Sequence, residues 1–153
     1  MGNKYLGMCL ITACLLLFSY GCTEKQSDIV SHKSYDSLNV QQLVKSVKSW
    51  DESLLPQYPD GQPEITILKI SIPAGTRLET HTHPVINAGF LVKGELTVYK
   101  ENGETLKLKA GDPIVEVVNT LHYGLNEGDE TAEIIVFYAG IEGNPITLIS
   151  SDQ

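Results

Sequence analysis

From Pro63 onward, apolar and polar residues alternate in short runs, the period of two that marks strands with one buried face. Residues 64–72 alternate but change phase at Ile67-Leu68, as an extra residue in a β-bulge would cause. Further strands are predicted at 78–83, 88–92, 95–100, 105–109, 113–118 and 132–139. Asn102-Gly103 stands between two alternating runs and predicts a tight hairpin. A second turn falls at 126–130. The run 133–139 is almost wholly apolar, the pattern of a strand buried on both faces. Upstream, Leu43, Val44, Val47 and Trp50 recur at helical spacing. A short helix or an extended lead-in strand both fit 38–50, with Trp50 capping whatever follows. Pro56, Pro59, Asp60-Gly61 and Pro63 then mark a loop. Many short strands with regular turn residues give an all-β domain, a sandwich or a barrel, and the jelly roll is one solution.

The first residues follow a different pattern. One lysine, Lys4, leads into an apolar run that ends at Gly21-Cys22 and gives way to Thr-Glu-Lys-Gln-Ser-Asp. The run is too short for a membrane span and reads as the core of an export signal over 1–21. A cysteine directly after it resembles a bacterial lipoprotein cleavage site, although Ser19 stands where an aliphatic residue is usual. Cys9 and Cys14 would leave with the signal, so Cys22 is the one thiol kept. A single free thiol outside the cytoplasm is a liability that acylation removes. Each buried CH₂ of the acyl chains would add ~0.8 kcal/mol of anchoring. Residues 22–37 then form a polar tether that includes His32, and 38–153 form one barrel domain. The expected location is the periplasmic or extracellular face of a bacterial membrane.

Charge narrows the partners. Without 1–21 the chain keeps 10 basic and 19 acidic residues. That balance argues against nucleic acid and against anionic head groups as partners, and its even spread suits a solvated surface.

The candidate chemistry lies in two stretches. His81 and His83 are separated by one residue, so their side chains leave a strand on the same face. Imidazole is a common ligand for Zn, Fe, Mn, Ni and Cu, but two rings make a weak clamp. His122 supplies a third, from a strand expected to start just after Asn119-Thr120. Of the four histidines in the chain, only His32 lies elsewhere. Glu116 interrupts the apolar residues Ile114, Val115, Val117 and Val118. Pointing inward, it would supply a carboxylate or act as a general base. Pointing outward, it would be an ordinary solvated acid, and strand parity leaves both open. Arg77 and Glu79 share the parity of His81, Tyr123 suits a pocket mouth, Asn126 suits turn backbone groups, and Glu95 reads as structural.

Gly75, His81, His83 and Gly94, followed by Gly111, His122 and Asn126, resemble the two motifs of the cupin superfamily at their usual spacing. Asn87 stands at the first motif's glutamate position, and Val117 and Asn119 replace the second motif's proline and inner glycine. The resemblance implies a jelly-roll β-barrel holding a divalent ion (Mn, Fe, Ni or Zn). Its ligands would be His81, His83 and His122, with Asn87 as a weak or water-mediated fourth. Asn87 leaves two other arrangements open, a bare three-histidine set and a barrel without metal. As an enzyme, such a cupin would be an oxygenase, isomerase or lyase acting on a small metabolite. The alternatives are a non-catalytic protein that binds a small ligand or a metal, and a metal-free scaffold. Pairing through sheet edges makes a homodimer a further expectation. No Gly-rich phosphate loop, Gly-x-Ser-x-Gly elbow or paired-cysteine zinc motif competes with this reading.

Overall fold

The computed structural model describes residues 38–150. The expected export segment, Cys22 and the tether with His32 lie outside the described residues. Among the described residues there is no helix, so none is long and apolar enough to cross a membrane. Nine strands run in the order β1 (Pro63–Ile72), β2 (His81–Thr82), β3 (Ile86–Lys93), β4 (Glu95–Lys100), β5 (Thr105–Lys109), β6 (Pro113–Val115), β7 (His122–Leu125), β8 (Ala132–Ile141) and β9 (Leu148–Ile149). They form two antiparallel sheets, β1-β8-β3-β6 and β5-β4-β7-β2-β9. The chain passes repeatedly from one sheet to the other, and the two wrap around one interior as a jelly roll.

Alternation decides what fills that interior. In β8, Ala132, Ile134, Val136 and Tyr138 are buried, whereas Glu133, Ile135 and Phe137 point the other way. Leu91, Leu96, Val98, Leu108 and Ile114 meet the inward residues of β8 in one core. The hairpin predicted at Asn102-Gly103 is present between β4 and β5, where the Asn102 carboxamide oxygen accepts from the Glu104 N–H. Asn119 carries a φ of +54°, the left-handed region that asparagine tolerates where the motif has glycine. At Gly94 a Cβ would come within 2.9 Å of Ala132 Cα, so this motif glycine is required by close approach as well as by its φ of +75°.

Three expectations are corrected. The phase change in β1 is not a bulge, because Pro63 to Ile72 pair with Ile141 to Ala132 residue for residue. Ile65 and Ile67 simply face outward, 64% and 57% exposed. The register shift lies in β3 instead, between Leu91 and Lys93. Second, β8 is not covered on both faces. Ile67, Phe137, Ala88 and Val115 form one cross-strand row on the outer face of the four-stranded sheet, and Phe137 is 49% exposed. An apolar run reads the same whether its second face is covered or not. Third, the lead-in is neither a helix nor a regular strand. Leu43, Val44 and Val47 are exposed, and the segment's one ladder contact is the Lys48–Leu54 bridge.

The end of the lead-in is nevertheless fixed to the barrel. The Trp50 N–H donates to the Val115 carbonyl at 2.9 Å, and Ser49 Oγ donates to the Glu116 carbonyl at 2.8 Å. Lys100 Nζ pairs with Asp51 at 2.7 Å, both side chains largely buried. Burial pushes the Asp51 carboxyl up, but hydrogen bonds from Lys100 and Ser53 outweigh it and bring the group down to about 2.

Candidate metal centre

The antiparallel pairing of β2 with β7 sets His81 directly opposite His122. His83 follows at the end of β2 and is buried. Ligand nitrogens of the three lie within 4.8 Å of one another, and their ring centroids are 4.4 to 5.1 Å apart. Each Nδ1 faces a backbone carbonyl: His81 that of Glu79 at 2.7 Å, His83 that of Ile146 at 2.9 Å, and His122 that of Thr120 at 2.8 Å. A carbonyl only accepts, so Nδ1 carries the proton in all three rings and Nε2 keeps its lone pair. Burial holds the imidazoles neutral, lowering His81 and His122 and taking His83 to about 4. Three neutral rings with free Nε2 atoms are what a divalent ion requires.

Register decides which way Glu116 points. Ala88 pairs with Val115 and Gly89 with Ile114, and the ladder continues one step further, where the Glu116 N–H donates to the Asn87 carbonyl at 3.1 Å. Glu116 is therefore the cross-strand neighbour of Asn87, on the same inward face. Both are buried and line the cavity that holds the histidines. Glu116 Oε1 lies 3.9 Å from His122 Nε2, a separation that two ligands of one ion with bonds of about 2 Å can have. That oxygen also accepts from Trp50 Nε1–H at 3.0 Å and from the Val117 N–H at 3.1 Å. Burial raises the Glu116 carboxyl, and these two bonds oppose the rise. Asn87 is 2% exposed, and its Nδ2 has no acceptor among the surrounding protein groups.

The five residues His81, His83, Asn87, Glu116 and His122 thus converge on one cavity of about 320 Å³. Glu79 also reaches it. Arg77 does not: its guanidinium lies 3.8 Å over the Tyr123 ring. Tyr123 in turn stacks on Tyr99 outside the barrel, not at the mouth. Asn126 holds the turn as expected, donating to the Ile72 and Glu130 carbonyls and accepting from the Gly128 N–H. Sequence reasoning missed Ile146 and Thr147, which fix His83 Nδ1. They act from a loop and a backbone oxygen, which leave no periodic signal. It placed Trp50 as a cap but not as the partner of Glu116.

Comparison with known proteins follows the same lines. Residues 68–138 match the family described as "Cupin domain". None of the curated proteins matches the chain. Among solved structures, a conserved protein with a double-stranded β-helix domain from Klebsiella pneumoniae superposes with a TM-score of 0.50 at 20% identity, covering 73% of this chain and 100% of that one. The DMSP lyase DddQ from Ruegeria pomeroyi also gives a TM-score of 0.50 at 20% identity, over 56% of this chain. The chain spans only 43% of the length of that lyase. Likeness at this level is likeness of fold. The family match, the two motifs and the jelly roll agree over residues 68–138, where the chain is similar to cupin domains.

Proposed function

We propose that this protein binds a divalent metal through His81, His83 and His122, with Glu116 as the carboxylate of the site, and acts on a small metabolite held in the barrel. The observation that carries the reading is the triple Nδ1–carbonyl arrangement, which leaves three Nε2 lone pairs free in rings whose ligand nitrogens gather within 4.8 Å of one another. Buried imidazoles without such a purpose would be costly core filler. A bound ion supplies Lewis acidity to substrate oxygens. The chain's own residues do the rest. Glu116 Oε1 is fixed by Trp50 and Val117, which leaves Oε2 to take or give a proton in the cavity. Isomerase or lyase chemistry uses it most directly, and an oxygenase remains within the same donor set.

A second reading is a non-catalytic binder, favoured by the neutral Asn87 where cupins often place an acid. Turnover of a candidate substrate that is lost in His81→Ala, with the fold intact by circular dichroism, favours the enzyme over the binder.

The location proposed is a membrane surface, by acylation of Cys22 after export. Assembly as a homodimer is also proposed, through the apolar outer row of Ile67, Phe137, Ala88 and Val115 beside the edge strand β1, since an open edge next to an apolar face favours pairing.

The metal centre is tested by elemental analysis of untagged protein starting at Thr23, against His81→Ala and His122→Ala controls. Near-stoichiometric metal lost in both controls is the expected result. No metal after reconstitution with Mn, Fe, Ni and Zn rejects the site.

A further inference from the structure

We infer that the C-terminal segment 142–150 is a latch on the metal centre, closed over His83 while an ion is bound and opened to release it. The inference rests on the metal-centre reading and goes beyond it, to how the ion is kept and let go. The three histidines are not oriented alike. His81 and His122 each bond a carbonyl two residues back along their own stretch, those of Glu79 and Thr120. His83 Nδ1 instead reaches the Ile146 carbonyl at 2.9 Å, 63 residues further along, with Thr147 Oγ1 3.2 Å from the same nitrogen. Two ligands therefore carry their own orientation, and the third takes it from a separate segment. A partner that fixes a ligand ring and its tautomer is worth roughly 10–100-fold in metal affinity. With the segment away, the centre keeps His83 but loses its aim.

The path of the segment ties it to the site more than to the core. After β8 the chain turns, the Asn144 N–H donating to the Ile141 carbonyl at 3.1 Å, and returns along β2. There Leu148 pairs with Thr82 and Ile149 with His81, so His81 has His122 on one side and Ile149 on the other. The Ser150 N–H donates to the Thr80 carbonyl at 2.9 Å. Thr147 and Ile149 form part of the cavity wall. Little else holds the segment down. β9 is two residues long and lies at the edge of its sheet, Leu148 and Ile149 are about half exposed, and Ile146 is its one residue packed against the core cluster. A segment with so few buried apolar contacts opens locally while the rest stays folded. Linkage then makes the coupling reciprocal: where the open form binds the ion tenfold more weakly, the bound ion makes opening tenfold rarer.

The test uses untagged protein starting at Thr23, which contains no cysteine. In the zinc-free protein, the amides of 146–150 are expected to exchange hydrogen faster than those of β4, the mark of local opening. Zinc should slow them at least tenfold. Thr82→Cys with Leu148→Cys then puts two thiols on directly opposed residues of an antiparallel pair, a separation that a disulfide spans. With this bond formed, zinc should pass to a chelator at least tenfold more slowly than from the unsubstituted protein carrying the same zinc. Strap amides as slow as those of β4 without zinc, exchange that zinc leaves unchanged, or equal release from locked and unlocked protein each overturn the latch and leave the metal centre standing. Protein that takes up no zinc brings down both.

Discussion

Trp50→Phe tests whether the lead-in merely packs against the barrel or also sets the charge of Glu116. The ring stays against the core, and the change removes one N–H, the donor 3.0 Å from Glu116 Oε1. The two ionisation states respond differently. A hydrogen bond to a charged group is worth about 1.5–3 kcal/mol, against about 0.5–1.5 kcal/mol for a neutral one. Burial already holds the folded Glu116 carboxyl above its unfolded value. For such a group the folded state keeps a proton that the unfolded state has lost. Stability is therefore full below the unfolded value, falls as pH rises between the unfolded and folded values, and then levels. The Trp50 bond favours the ionised form, so its loss raises the folded value further and extends the falling region. The cost of Trp50→Phe should grow by about 1–2 kcal/mol from acid to alkaline pH, on the order of one pKa unit. The assay is urea unfolding of metal-free wild type and variant from about pH 5 to about pH 9. The histidines titrate in both proteins, and His81 is coupled to Glu116, so a Glu116→Gln background isolates the part of the difference that runs through Glu116. In a Glu116→Gln background the cost should be flat across pH. An equally flat cost in the native background refutes the reasoning and reduces Trp50 to a packing residue.

Other outcomes follow from the structure and, for Cys22, from the proposed acylation. The folded Asp51 carboxyl sits at about 2, below its ordinary 3.8, so its pairing with Lys100 contributes above the ordinary value and is lost as pH falls towards 2. Asp51→Asn should remove on the order of 1–2 kcal/mol at neutral pH, with no further loss on acidification from this group, as read by urea midpoints. Cys22→Ala should abolish incorporation of labelled fatty acid and move the protein from the membrane fraction to the soluble one. Phe137→Lys should shift the protein from dimer to monomer in light scattering while preserving its circular dichroism spectrum, and an unchanged monomer in the wild type would overturn the pairing.

The fold was legible wherever one face of a strand is buried and the other is wet. Alternation placed β4 and β5 at their observed limits and β3, β6 and β8 within a few residues. It failed where the second face is apolar for another reason. Ile65, Ile67 and Phe137 made β1 read as bulged and β8 as fully covered, because a pattern records which residues are apolar and not what lies over them. The two-residue β9 left no signal. In the lead-in, Leu43, Val44 and Val47 imitated a helix face, yet the contacts that fix this segment come from Ser49, Trp50 and Asp51. Those contacts are polar and reach across roughly fifty to seventy residues of chain, beyond the range of any local period.

The site shows the same division with a chemical consequence. Its histidines were legible because each must leave the backbone at one position to reach the centre. The carboxylate was not, because two positions serve equally. Asn87 and Glu116 are neighbours across the β3–β6 ladder and its continuation, joined by the Glu116 N–H and the Asn87 carbonyl. Side chains directly opposite in an antiparallel pair have Cβ atoms roughly 5 Å apart, less than the reach of a glutamate. An acid can thus move from one strand to the next and still address the same space. A motif read along one strand counts this as a loss, whereas the sheet counts it as an exchange. The exchange is not neutral. Glu116 accepts from Trp50 of the lead-in, and Asn87 opposite it carries an N–H with no acceptor among the protein groups. A site that had only lost its acid would be expected to fill the gap with a small or apolar side chain. A buried donor at Asn87 with an acid directly opposite fits the proposed centre, with the charge on one wall and a hydrogen-bond donor on the other.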